Sequence, residues 1–188
     1  MMDQEVMIKG KILSIGLSLF LLLLTSATAR AGLYISGGVG LTSHDFIDVG
    51  DAGGYAVAIG YRPAYGPLGF EASYLDAGSA PISGGGSLAM SGTSVSAVWW
   101  IQNRDPGTQY MSGYMKLGLY DMTATDTPFT TNNTGWRFGV GFEFKASRNL
   151  AIYTDVDGYG LVDTPGGLDN VTIWSAGLRY YLTRRRAP

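Results

Sequence analysis

The chain has 188 residues, of which 28 are glycine and only 15% are charged, whereas soluble domains carry about 25% charged residues. Two lysines, one arginine and two acidic residues precede residue 32, so ten basic and thirteen acidic residues remain after it. This mildly acidic balance excludes the clustered basic surface of a nucleic-acid-binding protein, and the absence of cysteine excludes disulfides and thiolate metal sites. The length fits one domain.

The first 31 residues have the three parts of a secretory signal peptide. Two lysines precede an apolar stretch at 12–24, and a small-x-small motif ends at Ala31. The apolar stretch is shorter than the ~17 to 25 residues of a membrane-spanning helix. We therefore predict that residues 1–31 direct export and are removed near Ala31. A start at Met1 or at Met7 would give a complete leader.

From residue 32 onward, apolar residues recur at every second position, which is the period of a β-strand. The clearest stretch runs from Trp136 to Phe144, where large apolar residues alternate with Arg, Gly and Glu. The same alternation predicts eight strands, at 33–42, 54–62, 68–75, 93–102, 109–120, 135–145, 150–159 and 171–182.

The predicted connections alternate in length. Three are short, at 63–67, 103–108 and 146–149, and four are longer, at 43–53, 76–92, 121–134 and 160–170. Short turns at one end and long loops at the other are typical of outer-membrane barrels. The predicted fold is therefore all-β, an eight-stranded antiparallel up-and-down transmembrane β-barrel over 32–183, with a short basic periplasmic tail at 184–188.

The two faces of the predicted strands differ in side-chain size. One face carries bulky apolar residues such as Val57, Leu117 and Trp174, and the other carries mostly Gly, Ala and Ser. A soluble barrel would place its bulky face inside, but the interior of an eight-stranded barrel is barely wide enough for side chains. The bulky face is therefore predicted to contact lipid, and the small residues to line the lumen.

Residue parity places a set of charged side chains on the inner face. They are Glu71, Lys116, Arg137, Glu143, Asp155, Asp157 and Arg179, with Arg62 and Lys145 near the short-turn end. Strand direction places Lys116 and Asp155 near mid-height, Arg137 and Asp157 nearer the loops, and the others nearer the turns. Buried charges persist when they are paired. The set is therefore interpreted as a structural network filling the lumen, and a gated narrow pore is the alternative.

Several segments resemble the OmpA-type family of outer-membrane barrels. The segments GYAVAIGYR at 54–62 and LGFEASY at 68–74 are similar to the second and third strands of that family, and Glu71 stands at the place of its lumenal glutamate. The segment GVGFEF at 139–144 is similar to the sixth strand, including its inward acid. The resemblance extends over nearly the whole chain after the leader and implies the same barrel fold.

Lys116 stands at the basic position of the fifth strand of that family. The chain departs from the family at Asp155, where the resemblance implies an inward arginine, and at 183–188, which extend past the last predicted strand. No peptidoglycan-binding domain follows the predicted barrel, so the tethering role of the longer members is not expected. The arginines at 184–186 are interpreted as solvated, with contact to anionic headgroups as the alternative.

The leading prediction is a small non-enzymatic protein in the outer membrane of a double-membraned, Gram-negative bacterium. Its expected role is structural, in envelope integrity, or in surface interaction, and a narrow passive pore is the main alternative. Expected partners are outer-membrane lipid and lipopolysaccharide, together with periplasmic chaperones and the barrel-assembly machinery. No cofactor is expected, and the sequence identifies no surface partner.

One predicted loop offers residues for catalysis or for cation binding. His44, the single histidine, lies between Ser43 and Asp45, and lipid-modifying barrel enzymes use a histidine with a serine or an acid. Neighbouring residues on a strand point in opposite directions, however, and a catalytic triad depends on geometry. Asp45, Asp48 and Asp51 offer the oxygen ligands that calcium prefers. Solvated loop charges are the preferred interpretation of these acids, and no metal site is predicted.

Overall fold

The computed structural model describes residues 32–44, 49–63, 66–83, 85–101, 111–126, 129–164 and 167–182. They form eight strands: β1 (Gly32–His44), β2 (Ala52–Arg62), β3 (Leu68–Pro81), β4 (Ser87–Ile101), β5 (Met111–Asp126), β6 (Phe129–Lys145), β7 (Leu150–Thr164) and β8 (Gly167–Tyr181). Each strand pairs antiparallel with the next, and β8 pairs with β1, so the sheet closes into a barrel. The predicted fold is confirmed. The predicted leader, the 103–108 turn and the basic tail lie outside the described residues.

Within the described ranges, no helix has the length and apolar character needed to cross a membrane.

The strands run further toward one end of the barrel than the sequence pattern predicts. β3 and β4 remain paired to Pro81, β5 and β6 to Asp126, and β7 and β8 to Thr164. The prediction of long irregular connections is therefore wrong for three segments, 76–92, 121–134 and 160–170. These extensions are rich in Thr, Ser and Asn and lack the apolar alternation that marks a strand in the sequence. The hydrogen-bonded pairing of the strands nevertheless continues through them.

The outward face of the barrel carries an apolar belt with a sharp upper edge. Leu119 of β5 pairs with Trp136 of β6, and both side chains are exposed. The next outward pair along these strands is Asp121 with Thr134. On β5 the described part of the belt runs from Met111 to Leu119, nine residues, and a tilted transmembrane strand has ~9–11 residues. The prediction that the bulky face points outward is confirmed.

Both ends of the described chain lie at the lower edge of this belt, which we call the inner end. The amide of Leu182 donates to the carbonyl of Leu33 at 2.8 Å, so the last strand finishes beside the first. In outer-membrane barrels this end, with its short turns, faces the periplasm. At the opposite, outer end, β5 continues past the belt from Tyr120 to Asp126, roughly 23 Å of strand at ~3.3 Å per residue.

The barrel closes through a glycine contact between β1 and β8. Gly38 stands opposite Gly177 in this pair. A Cβ on Gly177 would lie 2.5 Å from the Cα of Gly38 and would overlap the carbonyl oxygen of Gly37. The inner surface at the closing pair therefore has room for hydrogen alone, which explains why small residues occupy this face.

Candidate functional site in the barrel lumen

All seven predicted lumenal charges lie inside the barrel, and none is more than 6% exposed. Arg62 joins them at 3% exposure. The predicted inward placement of Lys145 is wrong, because this residue ends β6 and its side chain is exposed at the inner end. Among the described residues the lumen thus holds four basic and four acidic side chains, whose formal charges cancel.

Lys116 lies at the centre of the network. Its Nζ is 2.5 Å from Oδ2 of Asp155, 3.1 Å from Oε1 of Glu71 and 3.8 Å from Oδ2 of Asp157. The hydroxyl of Tyr114 donates to the other carboxylate oxygen of Asp155. Asp155, the acid that departs from the resembled family, is therefore bound by a lysine and a tyrosine of β5 and forms part of the network.

Arg137 joins the network to the polar wall opposite. Its guanidinium binds Asp157 through two hydrogen bonds, at 2.6 Å from Nη2 and 3.2 Å from Nε. Its Nη1 donates to the hydroxyl of Ser94 at 2.7 Å and to that of Ser73 at 2.9 Å. A paired carboxylate and two hydroxyls satisfy a planar guanidinium well, so this side chain spans the lumen in a fixed orientation.

Arg179 carries the network toward the inner end. Its Nη1 lies 2.8 Å from Glu143 and its Nη2 lies 3.5 Å from Glu71. Arg62 reaches the other oxygen of Glu143 at 2.7 Å. The guanidinium of Arg179 is also surrounded by aromatic rings, and that of Tyr34 has its centroid 4.5 Å away. Cation–π contact of this kind stabilises a desolvated guanidinium, so the buried charge is compensated on several sides.

A set of aromatic rings on the inner face was not predicted from the sequence. They are Tyr34, Trp100, Tyr114, Tyr153 and Tyr181, all buried. Their parity marks them as inward, since Tyr114 is two residues from Lys116 on the same strand. Glycines on the inner face leave the space that these rings occupy. A Cβ on Gly60 would overlap the ring of Tyr34, and a Cβ on Gly141 would lie 2.6 Å from Cζ of Tyr114. Glycine and ring are therefore complementary across the lumen.

The outer end of the lumen is filled by apolar side chains, which we call the outer plug. They are Leu75, Ala77, Leu88, Met90, Tyr120, Met122, Ala124, Tyr159, Val171 and Ile173. The rings of Tyr120 and Tyr159 meet edge to face with centroids 5.3 Å apart, and the hydroxyl of Tyr120 donates to the carbonyl of Gly160 at 2.9 Å. Five of these ten residues lie in strand extensions that the sequence pattern predicts as loops, so the pattern does not indicate the plug.

A small cavity lies between the outer plug and the charge network. Arg137, Asp157, Ser73 and Tyr159 are among the residues that line it. Its volume, counted as the space open to the centre of a water molecule, is about 20 Å³. A single water requires roughly 10–15 Å³ by this measure, so the cavity has room for about one water and not for a solute.

The segment that carries His44 and the neighbouring acids is described only in part. His44 is the last residue of β1 and is half-buried, and the neighbouring Ser43 is outward and exposed. Asp45 and Asp48 lie outside the described residues, so the catalytic and calcium hypotheses stay untested predictions. In the part of the chain that the structure describes, no three His, Asp or Glu side chains are arranged to hold a metal ion.

A protein-family model for the outer membrane protein beta-barrel domain matches residues 15–181. No curated protein sequence matches the chain. The fold is similar to that of Neisserial surface protein A, with a TM-score of 0.55 and 18% identity over 80% of this chain and 96% of that one.

Two further solved structures have a similar fold. The outer membrane protein OprG from Pseudomonas aeruginosa has a TM-score of 0.61 at 11% identity, over 82% of this chain and 97% of that one. The Yersinia pestis outer membrane protein Ail, in a phospholipid bilayer nanodisc, has a TM-score of 0.50 at 17% identity, over 80% of this chain and 99% of that one.

Proposed function

The chain belongs to the outer membrane protein beta-barrel domain family, and we propose that it is a non-enzymatic barrel with a closed lumen that supports the envelope and displays an interaction surface. The observation that carries this proposal is the continuous filling of the described lumen. Rings and arginines occupy the inner end, a neutral charge network the middle, and the outer plug the outer end.

Ion pairing in the middle of the lumen opposes conduction. An ion could pass only if side chains such as Lys116 released their partners, and that lysine contacts three carboxylates. Leaving a buried charge without its partner is strongly unfavourable. Because the network has no net charge, it also does not attract either cations or anions into the lumen. These contacts favour the structural role over the pore.

Planar-bilayer recording tests the closed lumen. We expect the purified, refolded protein to give no conductance steps above the bare-bilayer baseline. Regular steps that change amplitude or open probability in Glu71→Gln would instead support the pore with exchanging ion pairs. Asp121→Asn is the matched control, since it removes an exposed carboxylate above the belt without touching the lumen.

The interaction surface of the proposal is the polar extension of the strands beyond the belt. Its outward residues on β5 and β6 include Asp121, Thr123, Asn132 and Thr134, which form pairs across the two strands. Beyond the belt, β5 stays paired with both β4 and β6, so this part of the surface is stiffer than an irregular loop, since its backbone groups are satisfied. The surface is acidic and rich in hydroxyls and amides, so it would bind a partner through polar contacts and hydrogen bonds.

Lysine labelling checks which end faces outward. Only two lysines follow residue 31: Lys116, buried in the lumen, and Lys145, exposed at the inner end. We expect a membrane-impermeant amine reagent to leave the barrel unmodified in intact cells and to modify Lys145 once the envelope is permeabilised. Asp126→Lys adds an amine at the outer end and is expected to be labelled in intact cells. Modification of Lys145 in intact cells would reverse the orientation.

A further inference from the structure

The wall of the barrel divides between β6 and β7 at the outer end. These two strands pair as far as Arg137 and Tyr159, and no further among the described residues. Above that level, residues 129–136 of β6 pair with β5, and residues 162–164 of β7 pair with β8. We call the division between these two hairpins the outer seam. It begins close to the height at which the apolar belt ends, since Trp136 is the last outward belt residue of β6.

A bulge in β7 places Gly160 outside the pairing on both sides of its strand. The β7–β8 register shifts between Tyr159 and Val162, where β7 advances from 159 to 162 while β8 advances only from 171 to 169. Gly160 belongs to no pair there, and the β6–β7 pairing has already ended at Tyr159. The extra residue of a bulge lacks a partner in the sheet. Its carbonyl therefore needs a hydrogen-bond donor from elsewhere in the barrel.

The side chain of Tyr120 provides this donor across the outer seam. Its hydroxyl donates to the carbonyl of Gly160 at 2.9 Å. Tyr120 belongs to β5, so its ring has to cross β6 to reach β7, and it crosses at Gly135, the residue with which it pairs. A Cβ on Gly135 would lie 2.7 Å from the hydroxyl oxygen of Tyr120 and 2.8 Å from its Cζ. One side chain thus joins the two hairpins just above the end of the β6–β7 pairing.

We propose that the outer seam opens and closes as a local unit and that Tyr120 is the latch that holds it closed. Segments with fewer backbone pairs open before the rest of a fold. Tyr120 and Tyr159, whose rings are in contact beside the seam, both belong to the outer plug. Opening therefore exposes the apolar plug to the medium at the membrane surface, because Tyr120 directly follows Leu119, the last outward belt residue of β5. The ion network lies below the seam and keeps its own pairs.

Amide hydrogen exchange, followed by NMR on the refolded barrel in detergent micelles, tests the latch. Tyr120→Phe keeps the ring and removes only the hydroxyl. Exchange at the upper end of the β6–β7 pairing, at 137–139 and 157–159, is expected to become roughly fivefold faster, the effect of losing one hydrogen bond. Exchange at the lower end, at 143–145 and 151–153, should not change. Gly135→Ala should act in the same way, because its Cβ displaces the hydroxyl of Tyr120. Tyr159→Phe is the control, since it removes a hydroxyl from the neighbouring ring and leaves the bond to Gly160 in place.

Methionine oxidation tests whether opening exposes the outer plug. Met90 and Met122 belong to the plug and are 2% exposed, whereas Met111 and Met115 lie on the outward face. Dilute hydrogen peroxide converts a methionine thioether to the sulfoxide, more readily where the side chain is accessible, and peptide mass spectrometry gives the rate at each residue. In Tyr120→Phe we expect roughly fivefold faster oxidation of the two plug methionines, with the two outward methionines unchanged.

Three results would overturn the proposal. Exchange that stays as slow as in the wild type in both Tyr120→Phe and Gly135→Ala would show that the bond does not hold the seam. Equal acceleration at both ends of the β6–β7 pairing would show that Tyr120 supports the whole barrel and not the seam. Faster exchange without faster oxidation of Met90 and Met122 would show that the plug stays covered. None of these readouts depends on whether the lumen conducts.

Discussion

Replacing Lys116 by methionine is expected to destabilise the folded barrel by about 3–5 kcal/mol, the usual cost of removing one partner from a buried ion pair. Methionine keeps most of the side-chain length, so the cavity contribution is small. Asp155 would retain only the hydroxyl of Tyr114, and the lumen would gain one uncompensated negative charge. Glu71 would keep Arg179 at 3.5 Å and Arg137 at 3.9 Å.

The free energy of unfolding in urea, followed by tryptophan fluorescence in lipid vesicles, measures this effect. Lys145→Met is the control, because that lysine is exposed and should change stability by no more than about 0.5 kcal/mol. Adding Asp155→Asn to Lys116→Met should recover part of the loss, since neighbouring sites in one network are not additive. Equal stability of wild type and Lys116→Met would contradict the view that the network holds the barrel together.

Replacing Gly177 by valine is expected to cost about 3 kcal/mol and to lower the yield of folded protein, because the added side chain overpacks the closing pair of strands. The Cβ alone would overlap the carbonyl oxygen of Gly37, and backbone cannot move aside as a flexible side chain can. β1 and β8 are the first and last strands of the barrel, so a clash between them opposes closure directly.

Ala176→Val provides the matched control for this substitution. Ala176 is the neighbour of Gly177 on β8, and its side chain is exposed on the outward face. The added methyl groups would therefore meet lipid, and β-branched residues suit strands. The fraction that migrates as folded protein without boiling should fall for Gly177→Val alone. A normal folded fraction for Gly177→Val would show that the closing pair has room that the structure does not indicate.

Parity was sufficient to predict which charges face inward, because side chains on a strand alternate between the two faces with a period of two. Lys116 and Arg137 were assigned to the lumen in this way, and both are buried there. Parity assigns a face and only an approximate height. It could not indicate that Glu71 lies within 4 Å of Lys116, Arg137 and Arg179 together, because contacts across the lumen depend on how all eight strands are staggered.

The outer plug could not be predicted from the sequence, for two physical reasons. Its strand extensions have polar outward residues, so they lack the large apolar alternation by which the other strands were recognised. In addition, the β3–β4 register shifts between Asp76 and Ser79, at Gly78 with a φ of +77°. This bulge moves the inward position to Ala80, so parity carried upward from Glu71 no longer holds beyond it.

The exact cancellation of charge in the described lumen has an electrical consequence. A potential across a membrane acts on the charge that lies within it, by about 2.3 kcal/mol per elementary charge per 100 mV. Four positive and four negative side chains sum to zero inside the belt, and the outward residues of the belt on β5 and β6 add none. A Donnan potential between the medium and the periplasm would therefore exert no net force on the described lumenal charges.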